Sequence, residues 1–323
     1  GIAFVVVTMT ETIICTNVNQ VKDEVFDHFE REGITVRPYE DFNEVKKFSD
    51  MTFISPSNIS PEFTGNVISV GISLESQLTA LFNFIKKQKK NKTVILFPEN
   101  KYTNLIEKKL KKFDLRNTKI FKYNPDPQVL TGEIEALTNY AQRKKNLEVR
   151  KKMFEDKEDE QAKKELEKLD QLYTLGDVNF DSVIIIDFGS SLKSVLTSLV
   201  YTDVNQKNVL FTTVNQWFDE SIFYENTIKT LYYPSIDYKE FKKYNKNFYE
   251  KFKIFPNEIT ILAYDALGLV YYTWKKNGKV NSVNDFLFDN KIQGKIGTFS
   301  FKDKKVNQEL EIYKTQDNKF IKY

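Results

Sequence analysis

The chain has 323 residues, 41% of them hydrophobic, which is long enough for two domains of ordinary size with a core in each. Its 48 Lys and Arg nearly balance 45 Asp and Glu, so the net charge of +3 implies no nucleic-acid partner. One Cys and one His exclude a Cys/His zinc cluster and an intrachain disulfide, and leave only His28 for a Ser-His-Asp or Cys-His site.

Ala3 to Val7 reads as a buried strand, and Ile13-Ile14-Cys15 places the lone thiol in another buried strand. Asn19 to Glu32 has a helical pattern stopped by Gly33, and His28 lies in its charged stretch as an exposed, idle imidazole. Ile34 to Val36 is a strand and Asp41 to Phe48 a short helix. The strand Met51 to Ile54 then breaks into a Ser/Pro/Asn loop, and a second apolar strand runs towards Ile72. This layout presents small polar groups at the end of a buried strand. Leu74, Leu78, Leu81, Phe82 and Ile85 recur at helical spacing, Thr93 to Phe97 is the next strand, and the loop Pro98 to Tyr102 opens a helix with Leu105, Ile106, Leu110 and Phe113 on one face. Lys119 to Tyr123 is a strand leading into the turn Pro125-Asp126-Pro127.

From Thr131 to Leu172 the chain is almost uninterrupted helix former, dominated by charge between Arg143 and Asp170. This reads as a solvated helix or helical hairpin with opposite charges at i,i+4, such as Glu160 and Lys164; the functional alternative is a docking arm. Alternation resumes with the strand Val183 to Ile186, a helix capped by Ser190 with Leu192, Val195, Leu196 and Leu199 inward, and the strand Val209 to Thr213, whose exit loop carries Asn215, Gln216, Trp217 and Asp219. A short strand Thr230 to Tyr232, helices Tyr238 to Phe252 and Glu258 to Trp274, and strands Gly297 to Phe301, Leu310 to Tyr313 and Lys319 to Tyr323 complete the chain. The class is α/β, with parallel sheets flanked by helices. No run of 18 apolar residues predicts a membrane-spanning helix, no secretory leader is visible, and no Gly-rich phosphate loop calls for a nucleotide; no cofactor or metal is expected.

In this order and pattern the chain resembles the type I periplasmic binding proteins, the family of branched-chain amino acid receptors of ABC transporters. The resemblance is carried by Ile54 to Thr64, by Pro98 to Tyr102, by Tyr264-Asp265-Ala266-Leu267 and by Gly294-Lys295-Ile296-Gly297-Thr298-Phe299. Leu172 to Val183 and Gln216-Trp217-Phe218-Asp219 further resemble a subgroup, the penicillin-binding-protein activators. The resemblance implies a two-lobed fold: lobe one from 1–90 and 255–303, lobe two from 91–254 and 304–323, with a charged helical insertion at about 139–172. The first 50 residues hold about one and a half strand-helix units where the family has three, so a truncated or divergent amino terminus is expected there, with Arg37-Pro38-Tyr39 in place of a Gly-Pro loop.

The family closes its lobes on a small polar ligand such as an amino acid. By resemblance the contacts are Ser55, Ser57 and Asn58 from lobe one, with Tyr102, Asp187, Ser190, Gln216 and Trp217 from lobe two. The implied setting is the periplasm and the implied partner an ABC permease. The subgroup implies instead a ligand-free protein regulating a peptidoglycan synthase. An enzymatic reading rests on Asp187 and Asp219 as an acid/base pair, and no enzyme is expected.

Overall fold

The computed structural model describes residues 4–7, 12–15, 52–55, 67–155, 157, 159–224, 230–256, 258–278, 282–295, 297–302 and 305–323. The helices expected at Asn19 to Glu32 and Asp41 to Phe48, the strand Ile34 to Val36, His28, and the loop holding Ser57 and Asn58 lie outside the described residues. In chain order the strands are β1 Phe4–Val7, β2 Thr12–Cys15, β3 Thr52–Ser55, β4 Val67–Ser69, β5 Thr93–Pro98, β6 Thr118–Tyr123, β7 Ser182–Ile185, β8 Leu210–Thr213, β9 Tyr232–Ser235, β10 Ile292–Gln293, β11 Thr298–Lys302, β12 Lys305–Gln308, β13 Glu311–Gln316 and β14 Lys319–Lys322. The helices are α1 Leu74–Lys87, α2 Thr103–Leu110, α3 Pro127–Leu137, α4 Tyr140–Glu155, α5 Glu160–Asp170, α6 Gly189–Tyr201, α7 Tyr238–Phe252 and α8 Glu258–Asn277.

The chain divides into two compact units, Gly1–Thr79 with Ser235–Glu311, and Ala80–Pro234 with Ile312–Tyr323. It passes from one to the other inside α1, at the end of β9 and at the start of β13. These divisions differ from the boundaries placed near 90, 254 and 303 in the sequence. α7 groups with the first unit, because its aromatic residues meet α8: the Tyr244 and Tyr264 rings lie 5.6 Å apart, and the Tyr244 hydroxyl donates to the Thr260 carbonyl at 3.4 Å.

The second unit carries the parallel sheet expected from the alternation. Its order is β14-β13-β9-β8-β7-β5-β6, and every pairing from β9 to β6 is parallel. β5 and β7 are buried at every position, as parallel strands covered on both faces must be. Val94, Leu96, Val183 and Ile185 share one core with Leu130 and Ile134 of α3 and Leu192, Val195 and Leu196 of α6. Each such buried side chain contributes roughly 1.5–3 kcal/mol. Pro127 at the first turn of α3, behind an Asp126 side chain that accepts the Gln128 N–H, explains why the Pro-Asp-Pro turn starts a helix.

The first unit's sheet, in order β10-β11-β12-β4-β3-β1-β2, is mixed. Only β3/β4 and β4/β12 are parallel, while β1/β2, β1/β3, β10/β11 and β11/β12 are antiparallel. The sequence shows why: four residues separate β1 from β2 and two separate β11 from β12, too few for a parallel crossover but enough for a hairpin. Ile54, Ile68, Val70, Ala266, Leu269, Phe286 and Phe299 form this unit's core. Two motifs far apart in sequence meet at its margin. The Asp265 carboxylate accepts the Lys295 N–H at 2.7 Å, and a Cβ on Gly294 would stand 2.5 Å from Asp265 Oδ2. Only glycine lets the backbone approach this closely.

The stretch from Thr131 to Leu172, expected as a helix or helical hairpin, holds the end of α3 and a hairpin of α4 and α5. α3 ends at Leu137, Asn139 adopts a left-handed φ of 51°, and α4 and α5 pair as a hairpin with Leu147, Ala162 and Leu169 buried. Arg143 roots it. Its guanidinium is buried and donates to the carbonyls of Gly176, Thr202 and Asp203 and to the Thr174 hydroxyl, all within 2.8–2.9 Å. Burial pulls its pKa below the ordinary arginine value, while Asp203 and Asp177 act the other way. No described helix is long and apolar enough to cross a membrane.

Candidate functional site

Parallel pairing puts the carboxyl ends of β5, β6, β7 and β8 on one edge of the second unit's sheet, in the registers Leu96 with Ile185 and Ile185 with Thr213. Loops leaving such an edge carry ligand contacts in open α/β sheets. Asp187 stands two residues past the end of β7, 8% exposed. One of its oxygens accepts the Phe188 N–H at 2.8 Å, and the other accepts the hydroxyls of Tyr123 and Ser191. Tyr123, the last residue of β6, is fully buried. Burial first, then the Asp187 charge and the hydrogen bond to it, push its phenol above the ordinary tyrosine range, so it remains a donor.

Gln216 is also buried, and its amide donates to the Asp187 carbonyl at 3.0 Å and the Val214 carbonyl at 3.1 Å. Asp187 and Gln216 therefore meet, as two of the residues singled out in the sequence. Trp217 follows, half-buried, with its N–H donated to Asn215 Oδ1 at 3.0 Å. Trp217 and Phe218 both take left-handed backbone, at φ 52° and 55°. For bulky side chains that conformation costs roughly 1–2 kcal/mol each, and it persists only where surroundings impose it. Here the Phe218 ring is held edge-on by Tyr313 at 5.0 Å and Phe320 at 5.4 Å.

Tyr102 lies on the β5 exit loop, 42% exposed, with Lys101 Nζ 5.1 Å from its ring centre. The loop is shaped by Asn100, whose side chain accepts the Tyr102 N–H at 2.8 Å. Ser190 is exposed in the first turn of α6 and is not its cap. The helix begins one residue earlier, at Gly189 with φ 55°, and Ser191 instead joins helix to strand through Asp187. In the first unit, Ser55 ends β3 opposite Ser69 of β4. Asp219 is exposed and accepts both the N–H and the hydroxyl of Ser221, so it and Asp187 are engaged with separate partners. Among the described residues no group of acidic, His and Cys side chains could hold a metal ion.

Sequence reading missed Tyr123 and Ser191. Each looks ordinary locally, a strand end and a helix start, and only the parallel pairing of β6, β5 and β7 brings them to one carboxylate. The one available signal was Tyr123 at the carboxyl end of a strand entering a Pro turn.

No protein-family model matches the chain, and no curated protein does. Solved structures do. A branched-chain amino acid ABC transporter periplasmic ligand-binding protein from Burkholderia xenovorans is 11% identical at a TM-score of 0.63, with 95% of this chain and 82% of that one covered. An extracellular ligand binding receptor from Desulfohalobium retbaense is 10% identical at 0.53, covering 93% of this chain and 45% of that one. Full-length LpoA from Haemophilus influenzae is 11% identical at 0.53, covering 93% and 50%. The fold is that of the type I periplasmic binding proteins. This bears out the resemblance read from the sequence. The chain spans about half the length of the Desulfohalobium receptor and of LpoA.

Proposed function

We propose that this protein is an extracytoplasmic solute-binding protein that takes a small polar ligand, such as an amino acid, at the carboxyl edge of the second unit's sheet, and serves as a non-enzymatic receptor for an ABC permease. The observation that carries the reading is the β8 exit loop: two consecutive left-handed aromatic residues, Trp217 and Phe218, fixed beside the buried pair Gln216 and Asp187. Strain of this kind clusters at ligand clamps. Tyr102 and Trp217 supply aromatic surface, Ser190 lies at the start of α6, and Asp187 with Gln216 forms the frame. The family resemblance further assigns Ser55, Ser57 and Asn58 to the ligand. The likeness to ligand-binding receptors supports the class of function, and the periplasm is the setting that class implies.

The test is a thermal-shift screen against amino acids and small carboxylates, with Tyr102→Ala and Trp217→Ala alongside. A ligand at 100 times its Kd adds about 2.7 kcal/mol of stability, and both substitutions should abolish that gain. Absence of any shift across the screen would overturn the reading and leave the alternative, a ligand-free regulator of a peptidoglycan synthase, which rests on the subgroup motifs at Leu172 to Val183 and Gln216 to Asp219 and on the likeness to LpoA.

A further inference from the structure

α7 and α8, both in the first unit, carry an apolar surface that the described residues leave uncovered. α7 holds six Phe and Tyr in 15 residues, yet none of its residues is buried. A groove of about 600 Å³ runs between the two helices, floored by Tyr244, Phe248, Phe252, Tyr264 and Leu267. From the groove the surface continues along α8. Tyr264, Leu267, Tyr271 and Trp274 are 52%, 43%, 61% and 55% exposed. Their 3-4-3 spacing is that of a helix-pairing seam, and the four span about 15 Å along the axis.

Charge decides the occupant. Lys243, Lys251 and Lys295 rim the groove against a single carboxylate, Glu240, which sits 4.0 Å from Lys295. A second copy of this chain would set the same lysines against one another. A flat anionic bilayer would not enter a concave groove, and a small molecule would not cover a seam that runs on along α8. We infer that this face is a docking surface for an acidic amphipathic helix of another protein, whose apolar ridge seats between α7 and α8 while its carboxylates meet the lysine rim. Helix-in-groove recognition of this kind uses anchors at i, i+3, i+4 and i+7.

The probe is a synthetic helix of about three heptads with Leu at a and d and Glu at the flanking e and g positions, compared with the same helix carrying Lys there. The chain has two tryptophans, so the difference between wild-type and Trp274→Phe fluorescence reports Trp274 alone. The Glu helix should shift Trp274 emission to the blue and shield it from acrylamide, more weakly as salt rises. The Lys helix should do neither. Leu267→Asp should weaken binding about tenfold or more, with an unchanged circular dichroism melt, since Leu267 is an exposed anchor. Lys243→Glu gives a second, charge-only variant with the same expected direction. Four results would each overturn the inference: equal or absent binding of both helices, Trp274 already shielded in the protein alone, a dimer in sedimentation that Leu267→Asp dissociates, or capture by phosphatidylglycerol vesicles without capture of the Glu helix.

Discussion

Replacing Arg143 by Met keeps most of the stem's volume and removes every donor of the guanidinium. In the folded protein that group supplies four hydrogen bonds, three to main-chain carbonyls of Gly176, Thr202 and Asp203 and one to the Thr174 hydroxyl. Thr174 retains a partner, since its own hydroxyl donates to Asp203 Oδ2 at 2.6 Å. The three carbonyls are left without their charged donor. An acceptor stranded in this way costs roughly 1–3 kcal/mol, with charged donors at the upper end. The site adjoins a cavity of about 300 Å³ lined by Arg143, Thr174 and Asp203, through which water can reach some of the stranded groups. That places the total near the low end of the sum, about 3–5 kcal/mol. In a domain of this size each kcal/mol moves Tm by about 2–4 °C, so a fall on the order of 10 °C is expected by calorimetry. Lys145→Met, on an exposed position of the same helix, should stay within about 0.5 kcal/mol of wild type. If Arg143→Met melted like Lys145→Met, the claim that Arg143 roots the α4–α5 hairpin would be wrong.

Gly294→Ala forces a Cβ to 2.5 Å from Asp265 Oδ2 and 3.0 Å from the Phe299 ring, and should cost about 1–3 kcal/mol in urea unfolding; a change below about 0.5 would show that the contact relaxes freely. Tyr123→Phe tests the raised phenol. The folded state favours the neutral form, so the contribution of Tyr123 is full below the ordinary tyrosine pKa of about 10 and is lost as pH climbs beyond it. Wild-type Tm should therefore fall more steeply than that of the variant above about pH 10, and parallel curves would contradict the Tyr123–Asp187 contact. Asn215→Ala removes the acceptor of the Trp217 N–H and should shrink the ligand-induced gain in Tm by more than it lowers the Tm of the unliganded protein. A gain left intact would make Asn215 a structural residue only.

The second unit was legible because its strands and helices carry their own signals. β7 is a run of branched apolar residues after Ser182, and α6 repeats Leu192, Val195, Leu196 and Leu199 at helical spacing. α7 was placed from Tyr238 to Phe252, the bounds it has, with Asp237 accepting the Glu240 N–H at its start. β12 was missed. Its sequence Lys-Val-Asn-Gln has one apolar residue, and its strand geometry is imposed by the neighbours β11 and β4. Arg143 read as the first charge of a solvated stretch, since burial of one guanidinium among three distant carbonyls leaves no trace in local pattern. The aromatic face of α7 and α8 gives no signal of its own for the same reason: a core stripe and an uncovered stripe are identical in sequence and differ only in what lies opposite.

The candidate site was legible by residue type more than by role. Asp187 is a ligand contact by resemblance, yet three donors already converge on its carboxylate. A carboxylate so bound has little freedom to turn, and the Gln216 amide is equally engaged with two carbonyls. Both hold the exits of β7 and β8 at fixed positions. Under the proposed function, ligand selectivity then falls to the exposed Tyr102 and the half-buried Trp217, and the strain in the Trp217–Phe218 backbone is sustained by the Phe218 ring locked among Tyr233, Tyr313 and Phe320. The aromatic cluster and the buried carboxylate thus perform one task from two sides: they fix a loop that its own sequence would not hold in that shape.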